Sequence, residues 1–148
     1  MDKLIIVPIS REDIDCFDGT EYQNLTTEKR VELIENSLAG VCDGKYFKFF
    51  LIKVNKTTVG VLNFCAQSQS AFSVAPDIKP EYRKKGYAFT ALNLAYEKAK
   101  EQGFDTVIAG IRQDNEASIK LHEKLGFLRA RSFKSKNGRD MFEFIKRL

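Results

Sequence analysis

The amino-acid sequence predicts a single α/β domain of the α+β, mixed-sheet kind, and two observations lead to this prediction. Hairpin-like strand patterns dominate the first half of the chain, whereas strand and helix patterns alternate in the second half. Hairpins pair their strands antiparallel and a strand–helix–strand crossover pairs them parallel, so one sheet has to contain both arrangements. The 148 residues, 43% of them apolar, fit one core, and we expect one domain over residues 1–148.

The first part of the chain is predicted to contain one strand and one or two helices. Leu4–Ile9 is a short apolar run, which is typical of a buried strand. Thr26–Ala39 carries Val31, Ile34 and Leu38 at helical spacing, with charged residues between them. A strand followed by one or two helices is therefore expected here.

The middle of the chain has the pattern of a hairpin followed by a further strand. Tyr46–Val54 is rich in aromatic and β-branched residues, Asn55 and Lys56 favour a turn, and Thr58–Ala66 continues as the second strand. Ser70–Ile78 predicts a third strand. The first two segments are expected to pair antiparallel as a hairpin.

A helical period then replaces the strand pattern. Small apolar residues share one helix face, which indicates close packing on a sheet: Ala88, Ala91, Leu92, Ala95 and Ala99. Gly103 ends this predicted helix, and Phe104–Ile111 predicts the strand that follows it.

The chain closes with a second helix and a hairpin. Asn115 is suited to cap a helix whose core ladder is Ala117, Leu121 and Leu125 and which Gly126 ends. Two strand patterns follow and complete the predicted sheet, at Phe127–Phe133 and Met141–Ile145 around the tight-turn dipeptide Asn137-Gly138.

Charge and cysteine content limit the class of protein. The 24 Lys and Arg exceed the 20 Asp and Glu by four, which favours anionic ligands without distinguishing a phosphorylated cofactor from a nucleic acid. Cys16, Cys42 and Cys65 are widely spaced, so neither a zinc site nor a disulfide framework is expected. No stretch reaches the about 18 apolar residues of a membrane span, and we expect a cytoplasmic protein without metal or membrane partner.

The segment before the alanine-rich helix has the composition of a phosphate-binding loop. Its members are Arg83, Lys84, Lys85, Gly86, Tyr87 and Ala88. The first N–H groups of a helix lack internal partners, and the helix dipole adds partial positive charge there. Gly86 lets the backbone approach a phosphate closely, and the basic side chains add charge at the rim. A pyrophosphate is the group that fits this turn best.

The next helix carries a polar stripe. Asn115, Ser118 and His122 are spaced i, i+3 and i+7, which places them on one side of the helix beside its apolar ladder. A polar stripe at the edge of a buried face suits a cofactor arm that contains amide groups.

These two segments resemble the motifs of the GNAT acetyltransferases. In that family the pattern Arg/Gln-x-x-Gly-x-Gly/Ala opens the third major helix, and Arg83, Gly86 and Ala88 match it. The family's Asn-x-x-Ser/Ala helix, which ends in Gly-Phe, is similar to the segment that begins with Asn115 and Ser118. The element order before and after both motifs also agrees.

The resemblance implies a function and a site. The fold would be a central twisted mixed sheet of about six to seven strands flanked by about four helices. Acetyl-coenzyme A would be the acyl donor, with its pyrophosphate on the 83–88 loop and its pantetheine and thiol end facing Asn115 and Ser118. A primary amine of a small molecule or peptide would attack the thioester directly, without a covalent acyl-enzyme.

The proton-transfer groups are less clearly indicated. Many family members carry a Tyr where this chain has His122, and an imidazole with an ordinary pKa of about 6.5 is a candidate donor or relay. Asp77 and Glu81, which precede the loop, are candidates for the general base. A strand N–H between Ile78 and Tyr82 is a candidate for the oxyanion donor, although Pro80 has no N–H.

Several alternatives stay open at this point. A domain that binds an acyl-coenzyme A without turnover is one, and a succinyl or propionyl donor is another. Lys85–Phe89 also matches the opening of an RNA-binding RNP1 motif, but helical spacing follows it, so we do not expect nucleic acid as a partner. The acidic stretch Arg11–Tyr22 weakly favours a cationic acceptor. The protein is expected to be a monomer or a homodimer.

Overall fold

A computed structural model of the protein describes residues 3–148, and it confirms the mixed α/β architecture. The helices are α1 (Thr27–Ala39), α2 (Tyr87–Glu101) and α3 (Glu116–Lys124), with short 3-10 helices at Arg11–Phe17 and Pro80–Tyr82. The strands are β1 (Leu4–Pro8), β2 (Val41–Cys42), β3 (Lys45–Val54), β4 (Thr57–Ala66), β5 (Ala71–Ile78), β6 (Thr106–Arg112), β7 (Leu128–Lys134) and β8 (Asp140–Arg147). The two-residue strand β2 and the 3-10 helix at Pro80–Tyr82 were not expected from the sequence, whereas the first 3-10 helix agrees with a second helix before the hairpin.

One sheet, ordered β1-β3-β4-β5-β6-β8-β7, contains most of these strands, and β2 pairs with β3 outside this order. The neighbours are antiparallel except for β5 and β6, which are parallel because α2 crosses over between them. The parallel pairing is very short: only Ala71 with Thr106 and Phe72 with Val107 are partners, after which the two strands diverge. The sheet is therefore split along its middle.

The front face of the sheet, defined here as the face that α2 and α3 cover, contains the larger core. The alanine-rich stripe of α2 packs here as the sequence predicts, with Ala91, Leu92 and Ala99 fully buried. Small side chains let the helix approach the sheet closely, and Phe72 and Phe64 stack beneath it at a centroid distance of 4.5 Å. Tyr96 lies in the same core.

The back face, defined as the opposite face, is covered by α1 and the first 3-10 helix, and only over the amino-terminal strands. Here the orientation of α1 differs from the sequence pattern, because Val31 and Leu38 are 44% and 42% exposed. The buried stripe is Arg30, Ile34 and Ser37. Polar groups occupy it because the Ser37 hydroxyl accepts from the Phe49 N–H at 2.8 Å, a bond that hydropathy does not register.

Arg30 is buried in this stripe because the surrounding backbone supplies acceptors. Its guanidinium donates to the carbonyl oxygens of Ile14 at 3.0 Å and Gln23 at 2.8 Å, and it pairs with Asp18 at 2.9 Å. Asp18 therefore helps to fix the segment before α1 through its pairing with Arg30. Less acidic surface is left for a ligand than the sequence suggested.

Gly60 on β4 sets how closely the carboxyl end of β5 approaches. A Cβ atom at this position would lie 2.3 Å from the Asp77 carbonyl oxygen and 3.0 Å from the Ile78 Cα, both of them backbone atoms. We expect Gly60→Ala to displace the end of β5 and to lower the free energy of unfolding by about 2 kcal/mol. Urea denaturation of the variant measures this change, and an unchanged midpoint would contradict the close approach.

None of the helices in residues 3–148 is both long enough and apolar enough to span a membrane.

Candidate active site

A cleft of about 810 Å³ occupies the split between β5 and β6. Its front-face walls come from the first turns of α2 and α3, through Ala88, Leu92, Asn115, Ser118 and neighbouring residues. Back-face side chains line it as well, from β4 (Asn63, Cys65), from Gln67 just after β4, and from β5 (Ser73, Ala75). The cleft therefore passes through the sheet, and two molecules can meet in it from opposite faces.

Unpaired backbone edges line the cleft on both sides. On β5 the odd-numbered residues pair with β4, since the Lys79 N–H donates to Val59 and the Ala71 carbonyl accepts from Gln67 at either end. Backbone groups alternate in direction along a strand, so the N–H groups of Val74 and Ile78 face the cleft. Pro76, which lies between them, has no N–H to leave unsatisfied, as suits a strand edge.

The β6 edge behaves in the same way. Its odd-numbered residues pair with β8, so the backbone groups of Ile108 and Gly110 face the cleft. A strand edge that is split away from its neighbour and remains inside the protein needs hydrogen-bond partners. An extended chain that carries amides, lying between β5 and β6, would supply them.

The amino terminus of α2, called here the anion seat, has unpaired backbone N–H groups where the sequence predicts a phosphate-binding loop. The first backbone bond of the helix runs from the Thr90 N–H to the Gly86 carbonyl, so the N–H groups of Tyr87, Ala88 and Phe89 precede the helical ladder. No side chain caps this end. Lys84 (φ 63°) and Gly86 (φ 80°) both adopt left-handed conformations, which fold the loop into a concave turn of N–H groups.

Arg83 connects this loop to β5. Its Nε donates to the Ile78 carbonyl oxygen at 2.8 Å, and its guanidinium lies 3.8 Å from an Asp77 carboxylate oxygen. Arg83 also lines the cleft, whereas Lys84 and Lys85 are exposed at the rim of the loop. The loop thus combines fixed N–H groups with three cations, a donor set that fits a pyrophosphate.

The polar stripe of α3 faces the cleft. Asn115 caps the helix as predicted, since its side-chain oxygen accepts from the Ser118 N–H at 3.1 Å, which leaves its amide NH₂ as a donor. Asn115, Ser118 and His122 all line the cleft. Of the predicted core ladder, Leu125 is buried, but Ala117 is exposed and Leu121 half-buried, because both line the open cleft instead of packing on the sheet.

His122 is held in a defined tautomer. Its Nδ1 lies 2.8 Å from the Ser118 carbonyl oxygen, an acceptor, so Nδ1 carries the proton and Nε2 keeps its lone pair. The ring packs edge-on against Phe127 at 4.9 Å. Burial lowers the pKa of His122 from its ordinary value, and the bond to Ser118 opposes this only partly. The imidazole is therefore a neutral proton acceptor near pH 7.

The two predicted carboxylates lie elsewhere. Asp77 is on the back face, where its carboxylate accepts from the Glu21 N–H at 2.6 Å and faces Arg83. Glu81 is exposed in the second 3-10 helix. Neither lines the cleft, and among residues 3–148 the cleft lining includes no carboxylate at all. The structure thus brings His122 to the site but leaves Asp77 and Glu81 outside it.

The back-face wall of the site is not indicated by any sequence motif. There the Asn63 amide donates to the Tyr22 hydroxyl at 2.9 Å, and the Gln67 amide donates to the Ser73 hydroxyl at 3.0 Å. Burial, together with the neighbouring Glu21 carboxylate, raises the pKa of Tyr22. Strand alternation alone could have placed Asn63 and Ser73 on one face, but only the splitting of the sheet makes that face part of a site.

Cys65 is also in this wall, and burial raises the pKa of its thiol. A thiol that stays protonated is a poor nucleophile, so these surroundings do not favour Cys65 as a nucleophile. In the part of the chain that the structure describes, no group of three or more His, Cys, Asp or Glu side chains is placed to hold a metal ion.

The segment that matches the RNP1 opening lies at the start of a helix and not on a strand. An RNP1 motif stacks bases on aromatic side chains of a strand. Tyr87 and Phe89 lie in the first turn of α2 instead, and the Lys124 ammonium lies 4.6 Å from the Phe89 ring centroid.

The split mixed sheet, with an uncapped helix end and a polar helix stripe at the split, fits the acyl-coenzyme A site that the sequence motifs predict. Residues 3–128 match the acetyltransferase (GNAT) domain family, and the chain belongs to this family. The fold is shared with solved members. The structure of yncA from Salmonella typhimurium with its cofactor acetyl-CoA aligns at a TM-score of 0.75 and 18% identity, over 98% of this chain and 94% of that one.

Sequence similarity to curated relatives is confined to a short segment. The L-methionine sulfoximine/L-methionine sulfone acetyltransferase of Pseudomonas aeruginosa is 38% identical over 50 residues, which is 34% of this chain and 29% of that protein. The L-amino acid N-acyltransferase MnaT of Escherichia coli is 33% identical over 51 residues, or 34% of this chain and 30% of MnaT. The matched segment thus spans less than a third of either relative.

Proposed function

We propose that this protein is an N-acetyltransferase that transfers the acetyl group of acetyl-coenzyme A to a primary amine by direct attack. The observation that carries the proposal is the cleft through the sheet, with an uncapped helix end at its front mouth and two unpaired strand edges inside it. One domain over residues 1–148, of which residues 1 and 2 lie outside the described part, would suffice for it. Its cytoplasmic location and its state as monomer or homodimer are predictions.

The proposed donor site uses this chain's residues in three groups. The N–H groups of Gly86, Tyr87 and Ala88, with the cations of Arg83, Lys84 and Lys85, would hold the pyrophosphate. The cleft-facing edges of β5 and β6 would pair with the amides of the pantetheine arm. Asn115 and Ser118 would contact its thiol end.

Bound there, acetyl-coenzyme A would supply a thioester carbonyl whose C–S bond breaks as the new C–N bond forms. The N–H groups of Val74 and Ile78 are the cleft-facing donors of β5, and they are placed to stabilise negative charge on a carbonyl oxygen. This refines the expected donor range, which began at Ile78 and did not include Val74. The rest of the rate acceleration would come from holding the donor and the acceptor in position from opposite faces of the sheet.

His122 would move the proton. Its Nε2, unprotonated because Nδ1 donates to Ser118, would accept a proton from the attacking amine, directly or through one water. The imidazolium would then return this proton to the departing sulfur. A neutral imidazole thus acts first as base and then as acid, a role different from that of a phenol at this position.

The curated relatives suggest where to begin with acceptors. Both are named for amino acids or amino-acid analogues. Their similarity covers about a third of this chain, so amino acids belong in the first panel of amines without excluding polyamines, aminoglycosides or peptides.

The test is to incubate the purified protein with acetyl-coenzyme A and an amine panel, and to quantify coenzyme A and the acetylated amine by mass spectrometry. We expect amine-dependent formation of both in equal amounts. Binding of acetyl-coenzyme A without transfer to any amine would instead favour a domain that binds acyl-coenzyme A without turnover. The cleft lining within the described residues contains no carboxylate, which agrees with that alternative. A failure to bind acetyl-coenzyme A would refute both readings.

A further inference from the structure

A second hollow, of about 500 Å³, adjoins the cleft at the open end of the split. Its lining residues come from the β6–α3 connection and from the β7–β8 hairpin turn: Arg112, Gln113, Asp114, Gly138, Arg139 and Asp140. The cleft and the hollow are adjacent along one segment of the chain. Ile111 and Asn115 line the cleft, and the three residues between them in sequence, 112–114, line the hollow.

The hollow opens on the side from which an acceptor would arrive. Successive side chains of a strand alternate between faces, and Val107 and Ile111 of β6 are buried in the front-face core. Ile108, Gly110 and Arg112 therefore project from the back face. The anion seat of α2 is on the front face, so a donor bound there leaves the back face for the amine.

The two segments of the hollow are fixed to each other. The Gln113 N–H donates to the Asp140 carbonyl at 3.0 Å, and the Gln113 side chain donates to the Met141 carbonyl at 3.2 Å. Within the turn, the Arg139 N–H donates to the Ser135 hydroxyl at 3.1 Å. The backbone under both arginines is thus held in place, which is what a binding site needs from its scaffold.

The lining of the hollow carries two arginines and two aspartates, and one cation is in excess once Lys134, which pairs with Asp140 from outside the lining, is included. Arg112 pairs with Asp114 at 3.3 Å, and Asp140 pairs with Lys134 at 2.7 Å. Arg139 makes no ion pair with any residue that the structure describes. The cleft beside it is lined by neutral polar groups and Arg83, with no carboxylate within residues 3–148, so this region favours an anionic group over a second ammonium.

From these observations we infer that the acceptor is a small amine that carries a carboxylate, and that Arg112 and Arg139 bind this carboxylate at the back-face mouth of the cleft. The inference rests on the proposed acetyl transfer. Guanidinium groups recognise carboxylates through paired N–H donors in a plane. Residues rise by about 3.3 Å along a strand, so the backbone of Arg112 lies roughly 7 Å beyond that of Gly110, a separation that a flexible arginine and a short amino acid can bridge.

An acceptor that carries a carboxylate is expected in place of the cationic acceptor that the acidic stretch Arg11–Tyr22 weakly favoured. Asp18 pairs with Arg30, and Asp13 accepts from the Ser10 N–H at 2.8 Å. These carboxylates therefore have structural partners. A polyamine would bring its second positive charge toward Arg139, where it would be repelled.

The experiment compares leucine, leucinamide and isopentylamine, which share a side chain and differ in the carboxylate, with spermidine as the polyamine. For the wild-type protein we expect kcat/KM to be at least about tenfold higher for leucine than for leucinamide. The amine of leucinamide loses its proton more readily because no carboxylate stabilises its ammonium form, so this difference works against the expected preference.

Variants then locate the carboxylate site. Arg139→Gln and Arg112→Gln should each lower kcat/KM for leucine by about tenfold or more, mainly through KM, and should leave that for leucinamide unchanged. Lys136→Gln, which removes a charge from the same hairpin turn outside the hollow, is the matched control and should have no effect. The dissociation constant of acetyl-coenzyme A should stay constant in all three variants.

Equal use of leucine and leucinamide, a preference for spermidine, or equal losses on all acceptors would overturn the inference. If no amine is acetylated, the proposed function fails, and calorimetric binding of N-acetylleucine in the presence of coenzyme A still tests the carboxylate site. Binding that exceeds that of N-acetylleucinamide and is lost in Arg139→Gln supports the site, and equal binding of the two refutes it.

Discussion

Gly86→Glu is expected to raise the dissociation constant of acetyl-coenzyme A by about 100-fold or more, which corresponds to about 2.8 kcal/mol of binding free energy. The carboxylate would stand at the uncapped end of α2, where the pyrophosphate would otherwise accept from the Tyr87 and Ala88 N–H groups. It would both occupy these donors and repel the phosphates. Calorimetric titration with acetyl-coenzyme A measures the change.

The same substitution also strains the backbone, because Gly86 has φ 80° and side chains disfavour that region. Gly44→Glu is the matched control, since Gly44 has φ 77° and, like Gly86, no atom within 4 Å of an added Cβ. Gly44 lies in the β2–β3 turn, so this variant should lose similar stability and keep wild-type affinity. If both variants bind acetyl-coenzyme A normally, the pyrophosphate site lies elsewhere.

His122→Gln is expected to lower kcat on the order of 100-fold while the dissociation constant of acetyl-coenzyme A changes little. The amide keeps a polar side chain in the cleft but cannot accept and return a proton at neutral pH. Steady-state kinetics at saturating substrates, combined with calorimetry, separate the two effects. Glu123→Gln, the exposed neighbour on the same helix, should retain wild-type kcat.

The pH dependence of kcat is a second test of the role of His122. A base must be unprotonated, so activity should be present above the pKa of His122 and be lost as the pH falls through it. Because burial lowers that pKa, the acid limb should lie below pH 6.5, the ordinary value for histidine. His122 is the sole histidine, so the limb should vanish in His122→Gln. An acid limb that persists in the variant would assign the proton transfer to another group.

The sequence predicted what local patterns can encode. The alanine stripe of α2, the Asn115 cap and the turn at Gly86 each depend on residues within one or two helical turns, and all three are present in the structure. The predicted sheet with mixed pairing follows from the same local patterns joined by short connections.

The back-face wall could not be predicted because long-range geometry determines it. Tyr22 and Asn63 meet across 41 positions of sequence, and the β5–β6 split, which exposes their face to the cleft, depends on how the two strands diverge after Phe72 and Val107. The orientation of α1 was missed for a related reason. Arg30 and Ser37 are buried through hydrogen bonds to distant backbone groups, and hydropathy assigns such residues to the surface.

The narrow junction at Ala71–Thr106 and Phe72–Val107 also has a mechanical meaning. Within residues 3–148, strands β5 and β6 pair at these two positions only, and beside them the Ser70 carbonyl accepts from the Asp105 and Thr106 N–H groups. The β1–β5 and β6–β8 parts of the sheet are therefore joined along a short strip. A ligand that hydrogen-bonds to both open edges would connect the two parts of the sheet. Substrate binding should accordingly slow amide hydrogen exchange along β6 and β8 as well as at the cleft itself. Separation of the two parts of the sheet would then require the hydrogen bonds to the ligand to break.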